Sequence, residues 1–212
     1  VPGSVTASGT GVTTTTNLAA MTGGASTPKP AATAPATTTP ATTTPAATKP
    51  AAAKPAATPA AKPATPSAAR LAAVKAVPKP ASADAGDDEY SYGFRLWEAK
   101  FYPESQQQLK LYLQKYPRHN RTSYARNLLG RTYLDEGNPR EAASWFLQNY
   151  QAGKTGDRAP DSLLFLAEAM GQLKDSSRAC VALAQFVDDY PREATGRLKS
   201  QYDATRAKVK CS

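Results

Sequence analysis

One histidine, two cysteines and two short acidic runs are the residues of this chain whose types could do chemistry, and their spacing decides against most of it. His119 stands in the turn from Pro117 to Asn120 and is read as an exposed loop residue. A structural zinc site takes about four ligands. One histidine with two distant cysteines cannot supply them, so no metal is expected. A phosphate-cradling Gly-Lys-Ser/Thr loop, a His-Glu-x-x-His helix and a Gly-x-Ser-x-Gly elbow are missing from the sequence. Asp87-Asp88-Glu89 reads as the start of a helix, where the dipole favours acids, and Asp188-Asp189 as a solvated helix face. With no catalytic constellation, no cofactor and no small-molecule substrate to hold, the chain reads as a non-enzyme. Its remaining chemistry is thiol chemistry and recognition.

Cys180 falls in the first turns of one helix, and Cys211 ends the next, antiparallel to it across a turn at Pro191 to Gly196. Helical rise puts the first about 15 Å before that turn and the second about 21 Å after it. A bridge between Cys180 and Cys211 would contribute roughly 3–4 kcal/mol by closing the loop, and it would imply an oxidising compartment. The other reading is two buried thiols.

The elements that position these residues follow a 37-residue spacing. Gly93, Gly130 and Ala167 lie 37 apart; Leu96, Tyr133 and Met170 follow each by three, Ser105, Ala142 and Ala179 by twelve, and Leu109, Phe146 and Leu183 by sixteen. Pro117 and Pro191 are two periods apart. Small residues where two helices cross, bulky apolar residues around them and a terminal proline make the tetratricopeptide pattern, lengthened from its usual ~34 residues. The fold class expected is all-α: three helical hairpins at about 86–119, 123–156 and 160–193, then a capping helix at about 197–211. A hairpin cannot bury its apolar face alone, so stacking makes the core. Asp161 is read as the cap of the third A helix.

Composition divides the chain. Residues 1–83 hold seven Lys or Arg, no Asp or Glu, thirteen of the eighteen prolines and no aromatic residue, so 84–212 carries only +2 of the net +9. So little apolar surface cannot offset roughly 1–2 kcal/mol of backbone entropy per residue. Residues 1–83 are therefore expected to be a disordered Pro/Ala/Thr/Lys-rich linker, and 84–212 the repeat domain. Seven dispersed cations are a weak phosphate-binding set, which disfavours nucleic acid as partner. No apolar run approaches the ~18 residues of a membrane span. The chain begins at Val1 and is read as a piece of a longer protein.

In such stacks the A helices line a concave surface, and residues three and four apart share one stripe. The candidate partner-binding groove is therefore Tyr90, Phe94 and Trp97, then Asn127, Arg131 and Leu134, then Leu164 and Glu168. Aromatic residues and Arg are favoured at interface hot spots.

Tyr90-Ser91-Tyr92-Gly93-Phe94 through Tyr116-Pro117, Leu129-Gly130-Arg131-Thr132-Tyr133 and Ala142-Ala143-Ser144-Trp145-Phe146 carry a resemblance. Its most specific part is Ala159-Pro160-Asp161-Ser162-Leu163-Leu164 with Arg178-Ala179-Cys180 and Tyr190-Pro191. Residues 87–211 resemble the C-terminal domain of the Tol-Pal accessory family called YbgF or CpoB. The resemblance implies a periplasmic protein that binds TolA and helps couple peptidoglycan synthesis by bifunctional penicillin-binding proteins to outer-membrane constriction at division. Family members carry a signal peptide and an oligomerising coiled coil. Residues 1–83 have no apolar heptads, so a homo-oligomer would form through a region upstream. The alternatives are a tethering protein whose basic tail binds cell wall, anionic lipid or nucleic acid, and a generic outer-membrane assembly repeat protein.

Overall fold

Asp84, three residues before Asp87, opens the first long helix by accepting the Asp87 amide at 3.0 Å, and the same device recurs where Asp175 accepts the Arg178 amide at 3.0 Å. The computed structural model describes residues 67–211; the disorder expected of the linker lies, for residues 1–66, outside them. Among the described residues every regular element is a helix: α1 (Ala68–Lys75), α2 (Ala85–Glu98), α3 (Tyr102–Lys115), α4 (Thr122–Asp135), α5 (Pro139–Ala152), α6 (Ala159–Gln172), α7 (Ser176–Asp189), α8 (Pro191–Thr195) and α9 (Lys199–Val209).

From α2 to α9 each helix packs on its successor. The result is an all-α solenoid of three helical hairpins, α2–α3, α4–α5 and α6–α7. Each of these six helices has 14 residues, and equivalent helices begin 37 residues apart. Prolines sit in the first turn of α3, α5, α6 and α8, where a missing N–H costs nothing. The tight turn inside each hairpin needs one left-handed residue, at Lys100 (φ 62), Gly137 (φ 87) and Lys174 (φ 60). Only one of the three is glycine, so the left-handed conformation, unlike the turn itself, carries a sequence signal at Gly137 alone.

The small positions work as the spacing requires. A Cβ on Gly93 would come within 2.8 Å of Leu109, and one on Gly130 within 2.5 Å of Phe146, so each glycine admits the bulky residue sixteen positions on. The Ser105 hydroxyl donates to the Gly93 carbonyl at 2.8 Å, fixing the first crossing. Leu96, Leu109, Leu129, Phe146, Leu163 and Phe186 are buried in the shared core.

Both ends differ from expectation. Residues 68–83, assigned by composition to the linker, carry α1 and a strap pinned to the first hairpin. Arg70 donates two bonds to Glu104 (2.8 and 2.7 Å), Arg95 donates to the Pro78 carbonyl (2.8 Å), Lys79 pairs with Glu89 (2.8 Å) and the Ser82 amide donates to Asp88 (2.7 Å). At the other end Pro191–Thr195 is a short helix rather than a turn, and the cap begins at Lys199. Cap helix α9 packs on α6 and α7, and the Cys180–Cys211 disulfide (Cα–Cα 5.5 Å) fastens its end. His119 is not an exposed loop residue. It lies over Gly86 and bonds Tyr112 Oη (2.9 Å) and Asp84 (3.1 Å), because the chain returns from α3 directly above the start of α2. Asp189 is likewise half-buried, accepting from Tyr150 and Lys154, while Asp188 is exposed. No described helix is long and apolar enough to cross a membrane.

Candidate partner-binding groove

Helices α2, α4 and α6 lie side by side, and with the start of α9 they enclose a cavity of about 340 Å³. Its aromatic residues come from the first turns and middles of the three A helices, and its cations from the same helices and the connections before them. Tyr90 and Tyr124 meet edge to face at 6.2 Å. Arg121 lies 5.7 Å from the first ring and 5.1 Å from the second, and Arg158 lies 5.0 Å from Tyr124. Deeper along the groove the Arg131 guanidinium stands 4.4 Å from the Trp97 ring and 5.2 Å from Phe165, which itself stacks on Phe146 at 5.4 Å. Each such cation–ring contact is attractive by about 0.5–1 kcal/mol at exposed sites and more when desolvated.

One acid sits among these cations. Asp161 Oδ1 accepts from Arg158 and Arg197 Nη1 (both 3.0 Å), and Oδ2 accepts from Arg197 Nη2 (2.9 Å). Burial pushes the Asp161 carboxyl upward, but the hydrogen bonds and charge of Arg197, with those of Arg158, outweigh it and hold it below the usual carboxylate range. The same bonds raise Arg197. Asp161 is thus not the N-cap of α6, as expected; Arg158 occupies that position without a side-chain capping bond, and Asp161 ties α6 to the segment before α9. The Arg121–Asp87 pair (2.7 Å) raises Arg121, and burial raises Tyr90.

Of the residues proposed from the sequence, Tyr90, Phe94, Asn127 and Arg131 line this cavity, and Trp97 lies beneath Arg131 with its Nε1 donating to Asp135 at 2.7 Å. Asn127 is only 6% exposed; it donates to Ser162 Oγ at 3.0 Å and clamps α4 to α6. Leu134 and Leu164 belong to the core, not to the surface. Tyr90, Asn127 and Leu164 share one repeat position, but α6 is covered by both α4 and α9, so the position that is half open in α2 is closed in α6. Glu168 lies on a separate cavity of about 260 Å³ with Thr205 and Lys208, between α6 and α9.

Sequence reasoning missed Tyr124, Arg158, Asp161, Phe165, Arg197 and Gln201 as lining residues. A signal was there in part: Arg121 and Arg158 are one period apart, and Asp87 and Asp161 two. Among the described residues no cluster of His, Cys, Asp and Glu could hold a metal ion. No family model and no curated protein matches this chain.

Proposed function

We propose that this protein is a non-enzymatic interaction scaffold of the periplasm that receives a partner segment in the concave groove. TolA is the first partner to test, followed by proteins of peptidoglycan synthesis, and the role is to help coordinate that synthesis with outer-membrane constriction at division. The observation that carries the reading is Arg131 held between Trp97 and Phe165 in an open groove. Arg and large aromatic residues are the types that dominate binding energy at interfaces. The resemblance of residues 87–211 supplies the partner, and the Cys180–Cys211 disulfide suits a compartment outside the cytosol.

The test is calorimetric titration of the full, oxidised chain with the periplasmic part of TolA from the same organism. Saturable binding that weakens when Trp97 and Arg131 are both replaced by Ala supports the scaffold and its groove; no binding at high micromolar concentration removes the Tol-linked role. A second reading rests on the charge of the tail, seven Lys or Arg and no acid in residues 1–83. In it the tail tethers the chain to cell wall, anionic lipid or nucleic acid. A chain lacking residues 1–66, and with them Lys29, Lys49, Lys54 and Lys62, that binds cell wall, anionic lipid and nucleic acid as the full chain does excludes this reading.

A further inference from the structure

Resting on the groove reading, we infer that Arg131 is the seat for a carboxylate side chain in an acidic segment of the partner. A guanidinium has two faces and an edge. Trp97 and Phe165 lie against the Arg131 guanidinium at 4.4 and 5.2 Å, while among the described residues no carboxylate or carbonyl accepts from its N–H groups. Stacking on rings leaves the planar fork of N–H donors available, and that fork matches a carboxylate in two parallel bonds.

The ordinary partner for Arg131 would be Asp135, four residues on along the same helix. That carboxylate accepts from Trp97 Nε1 instead, at 2.7 Å, and makes no ion pair with Arg131. The other arginines around the groove are already matched: Arg121 with Asp87, and Arg158 and Arg197 with Asp161. Arg131 is therefore a cation positioned by aromatic packing, pre-organised, with its hydrogen-bonding edge unanswered from within.

The surroundings narrow the occupant. Three arginines and one aspartate line the cavity, so it attracts an anion. Phe94 and Phe165 supply apolar floor beside Arg131, which favours an acidic residue with apolar neighbours over an isolated inorganic anion. At about 340 Å³ the space takes a few side chains of an extended or helical segment. The basic tail of this same chain cannot fill it, since residues 1–83 contain no Asp or Glu. A nucleic acid would need many free cations along its path, and the groove offers one.

The experiment follows the arginine Nε–Hε resonances of the full, oxidised, isotope-labelled chain by NMR, with Arg131 assigned from R131K. The probe is a blocked decapeptide of alternating glutamate and leucine; the controls are the same peptide with glutamine for glutamate, sodium phosphate and a single-stranded oligonucleotide. The expected result is a saturable shift of the Arg131 resonance with the glutamate peptide alone. Affinity falls about tenfold or more in R131Q, as loss of a charge-assisted bidentate pair requires, and by a smaller factor in R131K, which keeps the charge without the fork. Unchanged far-ultraviolet circular dichroism and melting of both variants tie the loss to the site. No shift at millimolar peptide, an equal response to the glutamine peptide, to phosphate or to the oligonucleotide, or movement of Arg158 and Arg197 with Arg131 silent overturns the inference. The scaffold reading fails separately: TolA binding that ignores R131Q refutes only the carboxylate seat, and a seated peptide with no TolA binding refutes only that partner.

Discussion

Replacing Asp161 with Asn removes one charge and almost no volume, and it isolates the clamp that closes the C-terminal end of the groove. Three hydrogen bonds reach the carboxylate, two from Arg197 and one from Arg158. A hydrogen bond to a charged group contributes about 1.5–3 kcal/mol, and an amide oxygen in the place of Oδ1 still accepts two of the three, more weakly for being neutral. Breaking a buried pair costs about 3–5 kcal/mol when it strands a buried charge. Here the groups left behind are Arg158 and Arg197, whose side chains are 39% and 48% exposed, so water recovers much of their solvation. The net loss comes to about 2 kcal/mol. In urea denaturation, with a slope near 2 kcal/mol/M, the midpoint falls by roughly 1 M at unchanged slope.

The pH dependence has a definite sign. The folded carboxyl of Asp161 is depressed below its ordinary value. It therefore adds stability above its unfolded pKa, about 3.9, and loses it as pH falls through the lower folded value. The difference between the parent protein and the D161N variant is full well above the unfolded pKa and shrinks as pH falls below it toward the depressed folded value. Partner affinity falls with it, because Arg197, Leu198 and Gln201 form one wall of the groove. A midpoint shift under about 0.2 M, or a difference that grows on acidification, refutes the clamp.

Breaking the disulfide with Cys180→Ser and Cys211→Ser removes a cross-link over 31 residues, an expected loss of about 3–4 kcal/mol and a melting temperature lower by roughly 10 °C; an unchanged melting curve contradicts it. Lys174→Gly relieves a left-handed residue (φ 60) and raises stability by about 0.5–1 kcal/mol, whereas Gly137→Ala (φ 87), with nothing within 4 Å of the added carbon, lowers it by about 1 kcal/mol through the backbone alone. Chemical denaturation of both variants checks the pair, and the same sign for both rejects the turn argument. Arg70→Gln releases α1 from Glu104: limited proteolysis within residues 68–77 speeds up, while global stability changes by less than about 1 kcal/mol, because the Arg70–Glu104 pair is partly exposed.

The hairpin repeat was legible because it is written in volume. Gly93 and Gly130 admit Leu109 and Phe146 at distances that leave no room for a Cβ, and the equivalent position of the third hairpin holds the next smallest residue, Ala167. Helical rise made a Cys180–Cys211 bridge one of two readings, the other being two buried thiols, and the structure shows the bond. The strap was not legible, because Ala, Lys and Pro between 68 and 83 carry no apolar pattern; what holds them are acids of the first hairpin, such as Glu104, 34 residues from Arg70, and Arg95, which donates to the strap's Pro78 carbonyl. The groove was legible as a helix face but not residue by residue. Repeat position says where a side chain starts, and the number of neighbouring helices says whether it ends in solvent. Tyr90 and Leu164 share the position and differ in the neighbours.

The arginines show how the repeat makes its own groove. The connection before each A-type helix after the first carries an arginine that reaches back to the third residue of the preceding A helix. Arg121 meets Asp87 at 2.7 Å, Arg158 lies 5.0 Å from the Tyr124 ring, and Arg197 meets Asp161 at 2.9 Å. Asp87, Tyr124 and Asp161 are 37 residues apart, so the three contacts are one device with a change of partner in the middle. It runs along the concave edge and ties successive A helices together at their N-terminal ends. These rim arginines are satisfied, and changing them should loosen the stack. Arg131 lies on the A helix itself, seven residues past Tyr124: packed on two rings, unpaired at its edge among the described residues, and outside the tie that holds the helices. Stability and recognition are therefore carried by different arginines of the same groove, and a rim substitution that spared stability while abolishing partner binding would break that division.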